Sequence, residues 1–462
     1  MAGVSPSSPT APIREHLLTT TPRRGLLRVL GLAFGLAVAI GATIGGGILR
    51  TPGDIAAKLP SPALFFGMWI AGAVFAFLGA TIFSELGAMH PNAGGLYPFG
   101  RRAFGNYTGF LVGYGDWFSQ CGTVAGLGLL TGEYLVALVP ALGGRSGTVG
   151  LAIIGVFLIS QWRGVRTGAR IQEVTTTLKA LAMLLLIVAC FLVPGQAAAP
   201  STPVPLATTG LFVAVILAMQ GVIFTYDSYY WTIYYGEELT DPGREIPRAM
   251  FGTVAAVAAV YLLLNVAFVR LLGLPAMAGD PFVAATAAQK VFGRHGDTII
   301  RLIMIVSILG ATNAMLLSSS RLVYSLSRDR LFPLRADQVN QGGTPTTALL
   351  LSGLVAVVFL LSGTFLEVLA TVIYFSVVNY AISFLALLRL RRTEPDAPRP
   401  YRAWGYPYTT YLALAICLVF LVGAVWSDPK HSLLALGVLA LTVPAYWILR
   451  RLTPADAPTA AP

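Results

Sequence analysis

Charge is scarce in this sequence: Asp, Glu, Lys and Arg make up 11% of its 462 residues, against roughly 25% in a soluble domain. With 56% hydrophobic residues and so few solvating groups, a water-soluble enzyme is excluded. Cysteine is scarcer still. Cys121, Cys190 and Cys417 each stand alone inside an apolar run, at no disulfide or metal-ligand spacing, so neither a redox centre nor a metal site is expected. The four histidines, His16, His90, His295 and His431, fall at loops or helix ends and far apart, which leaves an integral-membrane enzyme without a nucleophile, base or metal cluster. No cofactor is expected. The net charge of +11 would suggest nucleic acid in a soluble chain. In an apolar one the excess is topogenic, because basic loops stay cytoplasmic, and no nucleic-acid partner is expected.

What the chain does have is long apolar runs. Residues 1–27 carry Ser, Thr, Pro and Arg with no apolar core before Leu26, and read as a flexible cytoplasmic tail and not a cleaved signal. Twelve apolar segments follow, at 29–57, 62–89, 108–139, 147–162, 172–194, 209–237, 249–273, 298–326, 345–363, 366–389, 407–426 and 432–449, and a second tail at 451–462. Since a spanning helix takes about 20 apolar residues, this is an all-α polytopic protein of twelve transmembrane helices. Arginines gather in alternate connections, at Arg101 and Arg102, Arg163 to Arg170, Arg328 to Arg335 and Arg389 to Arg402, and join Arg14, Arg23, Arg24 and Arg28 of the tail. That asymmetry predicts a plasma (inner) membrane protein with both termini inside.

Two spans are broken near the expected midplane. The first reads Gly41-Ala42-Thr43-Ile44-Gly45-Gly46-Gly47-Ile48, and each glycine weakens a helix by about 1 kcal/mol. The sixth reads Phe224-Thr225-Tyr226-Asp227-Ser228-Tyr229-Tyr230-Trp231, a polar and aromatic cluster around one carboxylate. The two lie five spans apart, and five is odd, so two five-helix units, 28–194 and 209–389, would run in opposite directions as in an inverted-repeat transporter. Helices eleven and twelve, 407–450, are then accessory.

An unpaired backbone group in hydrocarbon costs several kcal/mol, so a broken helix must face protein, water or a ligand. Amides of Gly45, Gly46 and Gly47 would favour an anion such as a carboxylate. Freed carbonyls of Ile44, Phe224, Thr225 and Tyr226 would suit an ammonium. An α-amino acid carries both groups. Against this stands the reading that the glycines only allow close helix packing.

Three side chains near the breaks keep alternatives open. Lys179, in Thr175-Thr176-Thr177-Leu178-Lys179, either snorkels to the interface, or tethers the span-one break to a hydroxyl of span eight, Ser307, as a fixed cation doing a sodium ion's structural work, or releases a proton during the cycle. Asp227 either accepts bonds from unwound-backbone amides or faces the substrate amine. The Phe224 ring either gates the site or simply packs. Glu85 and Glu133, near opposite ends of their helices, read as interfacial, and Asn313 as an interhelical hydrogen-bonder.

Ile40-Gly41-Ala42-Thr43-Ile44-Gly45-Gly46-Gly47-Ile48-Leu49 resembles the first-helix motif of the amino acid–polyamine–organocation superfamily, especially L-type amino acid transporters and their bacterial relatives. Glu85-Leu86-Gly87 with Pro91-Asn92-Ala93-Gly94-Gly95, Phe224 to Asp227 with Glu237-Glu238-Leu239, and Asn313-Ala314 through Ser320-Arg321 with Leu331-Phe332-Pro333 resemble its second, sixth and eighth helices. The resemblance spans roughly residues 28 to 450. It implies a LeuT-type 5+5 inverted repeat with helices 1 and 6 broken, the substrate carboxylate on the span-one glycine amides and its amine on the span-one and span-six carbonyls. It also places Phe224 on the gating aromatic and Lys179 on the lysine that replaces a sodium ion in sodium-independent members. Gly46 departs from the family's usual serine, and Tyr229-Tyr230 from its usual small residue and Trp.

These readings converge on a sodium-independent secondary transporter of amino acids working by alternating access, with proton symport or exchange left open and no obligatory protein partner inferred. A polyamine or organic-amine carrier, a channel and a nutrient sensor are the rivals.

Overall fold

Inside a bilayer an apolar run satisfies its own backbone only as a helix, and helix is what nearly all of these runs form. The computed structural model describes residues 26, 28–59, 61–195, 210–280, 282–332, 336–362 and 365–452. Most of both tails, with Arg14, His16, Arg23 and Arg24, and also Pro333 and Arg335, lie outside the described residues. Sixteen α-helices follow in order. They are α1 Leu32–Thr43, α2 Gly46–Lys58, α3 Pro62–Met89, α4 Tyr97–Phe104, α5 Asn106–Leu138, α6 Ser146–Trp162, α7 Val165–Leu192 and α8 Leu211–Tyr226. Then come α9 Pro242–Leu272, α10 Leu274–Met277, α11 Val283–Phe292, α12 Gly296–Arg328, α13 Thr346–Ser362, α14 Phe365–Thr393, α15 Tyr408–Ser427 and α16 Pro429–Leu452. No strand occurs among the described residues.

Helix occupies each of the twelve apolar segments, but not all are equally apolar. Among the described residues eight helices are long and apolar enough to cross a membrane: α3, α7, α8 with its 3-10 continuation to Tyr235, α9, α12, α14, α15 and α16. The α1–α2 pair, bent by 40° at its break, makes a ninth, while α6 and α13 are apolar but shorter. The 33-residue α5 is not among the eight; Asp116, Ser119, Gln120 and Thr123 run along its middle.

One helix shows how the sequence assigns its faces. In α7, Gln172, Thr176, Lys179, Met183, Leu186 and Cys190 are buried, while Val174, Leu178, Leu181, Leu185, Val188 and Leu192 are exposed. Both sets recur at alternating steps of four and three, so each forms one stripe of a helix. The exposed stripe is the more apolar, the inverse of a soluble helix and the arrangement that lipid favours.

The core gathers on α5, which packs against α4, α6, α12, α13 and α14, while α3 lies on α9 and α1 lies on α7, α9 and α12. At one end of the bundle, charges tie the helices together. Arg321 of α12 and Glu238 are both fully buried and bond at 2.9 Å; Arg328 meets Glu237 at 2.5 Å, and Arg101 pairs with Asp329. The strand-like segment before α1 joins them, with the amides of Val29 and Leu30 donating to the Glu238 carbonyl and Thr240 N–H to the Leu30 carbonyl. Glu85, expected at an interface, is instead fully buried, paired with Arg391 at 2.6 Å and Arg399 at 3.1 Å and accepting the Ala403 amide at 2.6 Å. Its partners lie far along the chain, where no local pattern reveals them. Glu133 is exposed.

Breaking a buried ion pair from one side leaves a charge stranded, at about 3–5 kcal/mol, whereas replacing both partners by apolar groups is often neutral. Arg321→Ala is therefore expected to lower the melting temperature of the detergent-purified protein sharply, and Arg321→Met with Glu238→Leu to restore most of the loss. A double variant as unstable as the single one would assign the cost to packing and not to the stranded charge.

Candidate binding site

The first break falls where the glycines do. Helix α1 ends at Thr43, Ile44 and Gly45 are non-helical, and α2 starts at Gly46. The amides of Gly45, Gly46 and Gly47 stand at the start of α2, where a helix has donors without intrahelical acceptors, and those of Gly45 and Gly47 bond to no described backbone acceptor. The second break follows Tyr226, the last residue of α8. Asp227 is extended, Ser228 takes φ +75°, a left-handed conformation costing an L-residue about 1–2 kcal/mol, and the chain resumes as a 3-10 turn over Trp231–Tyr235.

The breaks adjoin. A Cβ built on Gly47 would meet Thr225 Oγ1 at 3.1 Å and Phe224 Cε1 at 3.4 Å, so α2 lies close to the end of α8 and a larger residue would push the neighbours by a few tenths of an ångström. The hydroxyls of Thr225 and Thr51 bond at 3.1 Å across the same contact. Both breaks open on one narrow cavity whose wall includes Thr43, Gly45, Gly47, Phe224, Asp227 and Ser228, together with Thr123 and Leu127 of α5 and Ala311 and Met315 of α12.

Surrounding helices take up the carbonyls that the breaks set free. Lys179 is fully buried, which removes the snorkelling alternative. Its ammonium donates to the carbonyls of Gly41 at 2.5 Å, Ile44 at 2.6 Å and Ser307 at 3.2 Å. An ammonium has three N–H donors and no acceptor, so all three are used. Ser307 meets Lys179 through its carbonyl and not through the hydroxyl expected from the sequence; that hydroxyl donates to the Ile44 carbonyl at 3.1 Å. One turn back along α7, Thr176 Oγ1 and Gln172 Nε2 donate to the Ala37 carbonyl at 2.9 and 3.3 Å. A Cβ on Gly41 would stand 2.0 Å from Gln172 Nε2, so this glycine admits the polar stripe of α7. Asn313 extends the network, donating to Gln172 Oε1 at 3.1 Å and accepting from Gln161 at 3.0 Å.

Tyr261 of α9, which the sequence reading passed over, is bonded to both breaks. Its hydroxyl lies 2.8 Å from the Thr43 carbonyl and 2.9 Å from the Thr225 carbonyl, sharing one hydrogen between them. A lone tyrosine in an apolar helix carries no signal of this in the sequence. Of the four carbonyls expected to be free, Ile44 is thus occupied by Lys179 and Ser307, Thr225 by Tyr261, and Phe224 accepts the Asp227 amide at 3.4 Å. Tyr226 accepts no bond from a described residue. Asp227 has partners of both kinds, the Ser228 backbone and the Tyr380 hydroxyl of α14, while lining the cavity.

Among the described residues no cluster of His, Cys, Asp and Glu is arranged to hold a metal. Cys121, Cys190 and Cys417 are free and buried. His90, at the end of α3, bonds Arg102 at 2.7 Å, and burial together with that guanidinium lowers its pKa to about 4. It is a neutral surface contact remote from the breaks.

A family model described as amino acid permease matches residues 25–448. The chain is 26% identical over 441 residues to the Serine/threonine exchanger SteT of Bacillus subtilis (strain 168), covering 93% of this chain and 99% of that one. It is 28% identical over 443 residues to Large neutral amino acids transporter small subunit 2 of Rattus norvegicus, covering 92% and 81%. With b(0,+)-type amino acid transporter 1 of Mus musculus it shares 26% over 427 residues, covering 88% and 85%. The match runs through both breaks, Lys179, Tyr261 and Ser307, and on its extent the chain belongs to the amino acid permease family.

Proposed function

We propose that the protein is a secondary transporter that carries α-amino acids across the plasma membrane by alternating access. One observation carries this reading: two helix breaks lie side by side on a single cavity, with the amides of Gly45 and Gly47 on one wall and the Asp227 carboxylate on the other. A zwitterion suits that pair of walls. Its carboxylate faces the amides of Gly45, Gly46 and Gly47, and its ammonium faces the Tyr226 carbonyl and Asp227. Phe224, on the cavity wall beside Gly47, is the gate.

Twelve spans arranged as inverted repeats 28–194 and 209–389, with α15 and α16 appended, account for breaks five spans apart. Transport is sodium-independent, because the Lys179 ammonium already joins α1, α7 and α12 where a bound cation would otherwise be needed. The name of the serine/threonine exchanger favours exchange over proton symport. The arginine-rich connections place both termini in the cytoplasm. No obligatory protein partner is assigned; all three cysteines are buried within helices, so none is offered for a disulfide-linked subunit.

Lys179→Ala removes the donor that links α1 to α12, and a buried carbonyl left unsatisfied costs about 1–3 kcal/mol; the Ile44 carbonyl keeps the Ser307 hydroxyl, which limits the loss. Uptake into proteoliposomes is expected to fall by about tenfold or more, while the variant still reaches the membrane and elutes as a single species. Uptake equal to that of the unaltered protein would remove Lys179 from the mechanism. To separate the coupling modes, proteoliposomes are given a proton gradient with and without internal amino acid. Exchange requires the internal substrate; accumulation without it would show symport instead.

A further inference from the structure

The central cavity continues into a polar side pocket. Its wall shares Thr123, Asp227 and Met315 with the cavity at the breaks and adds Asp116, Ser119 and Gln120 of α5, Tyr230, Trp231, and Ser376 of α14. Asp116 is the residue that stands out. Among the described residues the other two fully buried carboxylates each have a guanidinium, Glu238 from Arg321 and Glu85 from Arg391 and Arg399. Asp116, only 5% exposed, receives neutral donors alone, the Tyr234 hydroxyl and Gln120 Nε2 at 3.2 Å. Asp227, on the same wall, likewise has only the Ser228 backbone and the Tyr380 hydroxyl. No Lys, Arg or His lines either part of the cavity, and Lys179 has no N–H left to give.

Acidic groups at this depth are costly and ordinarily pair with a cation. The pocket also holds two hydroxyls without partners. Ser119 and Ser376 are 7% and 8% exposed, line the pocket, and show no side-chain bond to any described residue. Both hydroxyls line the pocket, within reach of a ligand's N–H groups. The rings of Tyr230 and Trp231 complete the wall, and aromatic faces favour a cation.

We propose that this side pocket takes the cationic end of the substrate, a guanidinium or ammonium facing Asp116, so that the amino acid carried is a basic one. The inference rests on amino acid transport as read above: the α-carboxylate and α-amine stay at the breaks, and the side chain runs past Asp227 and Met315 to Asp116. The missing protein cations are then supplied by the substrate, its α-ammonium at Asp227 and its side-chain cation at Asp116, and a neutral side chain of equal length leaves Asp116 without one.

The test measures half-saturation of uptake in proteoliposomes holding the full chain, for arginine, for citrulline, whose uncharged ureido group replaces the guanidinium at the same length, for leucine, and for agmatine, which lacks the carboxylate. Arginine is expected to saturate at a concentration about tenfold or more below citrulline, ~1.4 kcal/mol. Asp116→Asn should raise the arginine value by about the same factor and leave citrulline within about twofold, whereas Asp116→Glu should keep the preference. Equal values for arginine and citrulline in the unaltered protein overturn the proposal even where the Asn variant does not fold. So does an Asn variant that weakens both alike, which would make Asp116 a structural group. Uptake of leucine with neither arginine nor citrulline ends the proposal and leaves amino acid transport standing. Uptake of agmatine alone would end both.

Discussion

A helix interrupted inside a low-dielectric bundle must find partners for the backbone groups it exposes, and this requirement organises the molecule around the breaks. Each unmade bond costs about as much as a large fraction of a domain's net stability, so the partners have to be fixed in place. Lys179 supplies three donors from α7, Tyr261 supplies one from α9, and the Ser307 hydroxyl another from α12. These are the helices packed on α1. The groups they satisfy are mostly carbonyls at the end of α1, while the amides of Gly45 and Gly47 at the start of α2 bond to no described backbone acceptor. The asymmetry suits the anion binding proposed for this site, and the chain belongs to the amino acid permease family.

What could be read beforehand depended on whether the signal was local. Three consecutive glycines in an apolar run mark a break by themselves, and a lysine in the middle of such a run marks a polar interior, because neither belongs in lipid. The α3 boundaries, Pro62–Met89, agree with the apolar run, since a proline opens it and the polar stretch after His90 closes it. Helix α9 begins at Pro242 and not at 249, because proline suits a first helical turn even where the sequence there is polar. Tyr261 and Asp116 were missed for opposite reasons. A tyrosine in an apolar helix looks like packing, and its two acceptors come from segments distant in sequence. Asp116 carried the same warning as Lys179, a charge at membrane depth, but lay in a helix whose polar residues dilute it. Glu85 was misplaced because proximity to a helix end says nothing about guanidiniums contributed by α14 and the segment after it.

The bonds across the breaks also divide the bundle. On one side, the segment before α1 is joined through its backbone to Glu238 and Thr240, just after the Trp231–Tyr235 turn. On the other, α2 lies against α8 through Gly47, Thr225 and Thr51. Each half of one interrupted span is thus attached to a half of the other. Within these two spans the helical ladder is absent at Ile44-Gly45 and over residues 227–230, so rotation there disrupts few backbone bonds. A hinge is set by residues that absorb a change in φ and ψ, and Gly45 and the left-handed Ser228 are such residues.

Opening toward the end that holds Arg321 and Glu238 asks for more. That pair is fully buried, and Arg328–Glu237 and Arg101–Asp329 lie in the same region. The outer pairs are partly exposed, where ion pairs contribute little net energy because water competes for both charges. Admitting water therefore costs them little. The Arg321–Glu238 pair differs: its two desolvated charges recover hydration when water reaches them, and this offsets much of the Coulomb attraction lost on separation. A buried apolar contact of the same size has no such compensation. Charged groups in the closure at this end accordingly make it specific in register while keeping it separable, as the proposed alternating access asks of it.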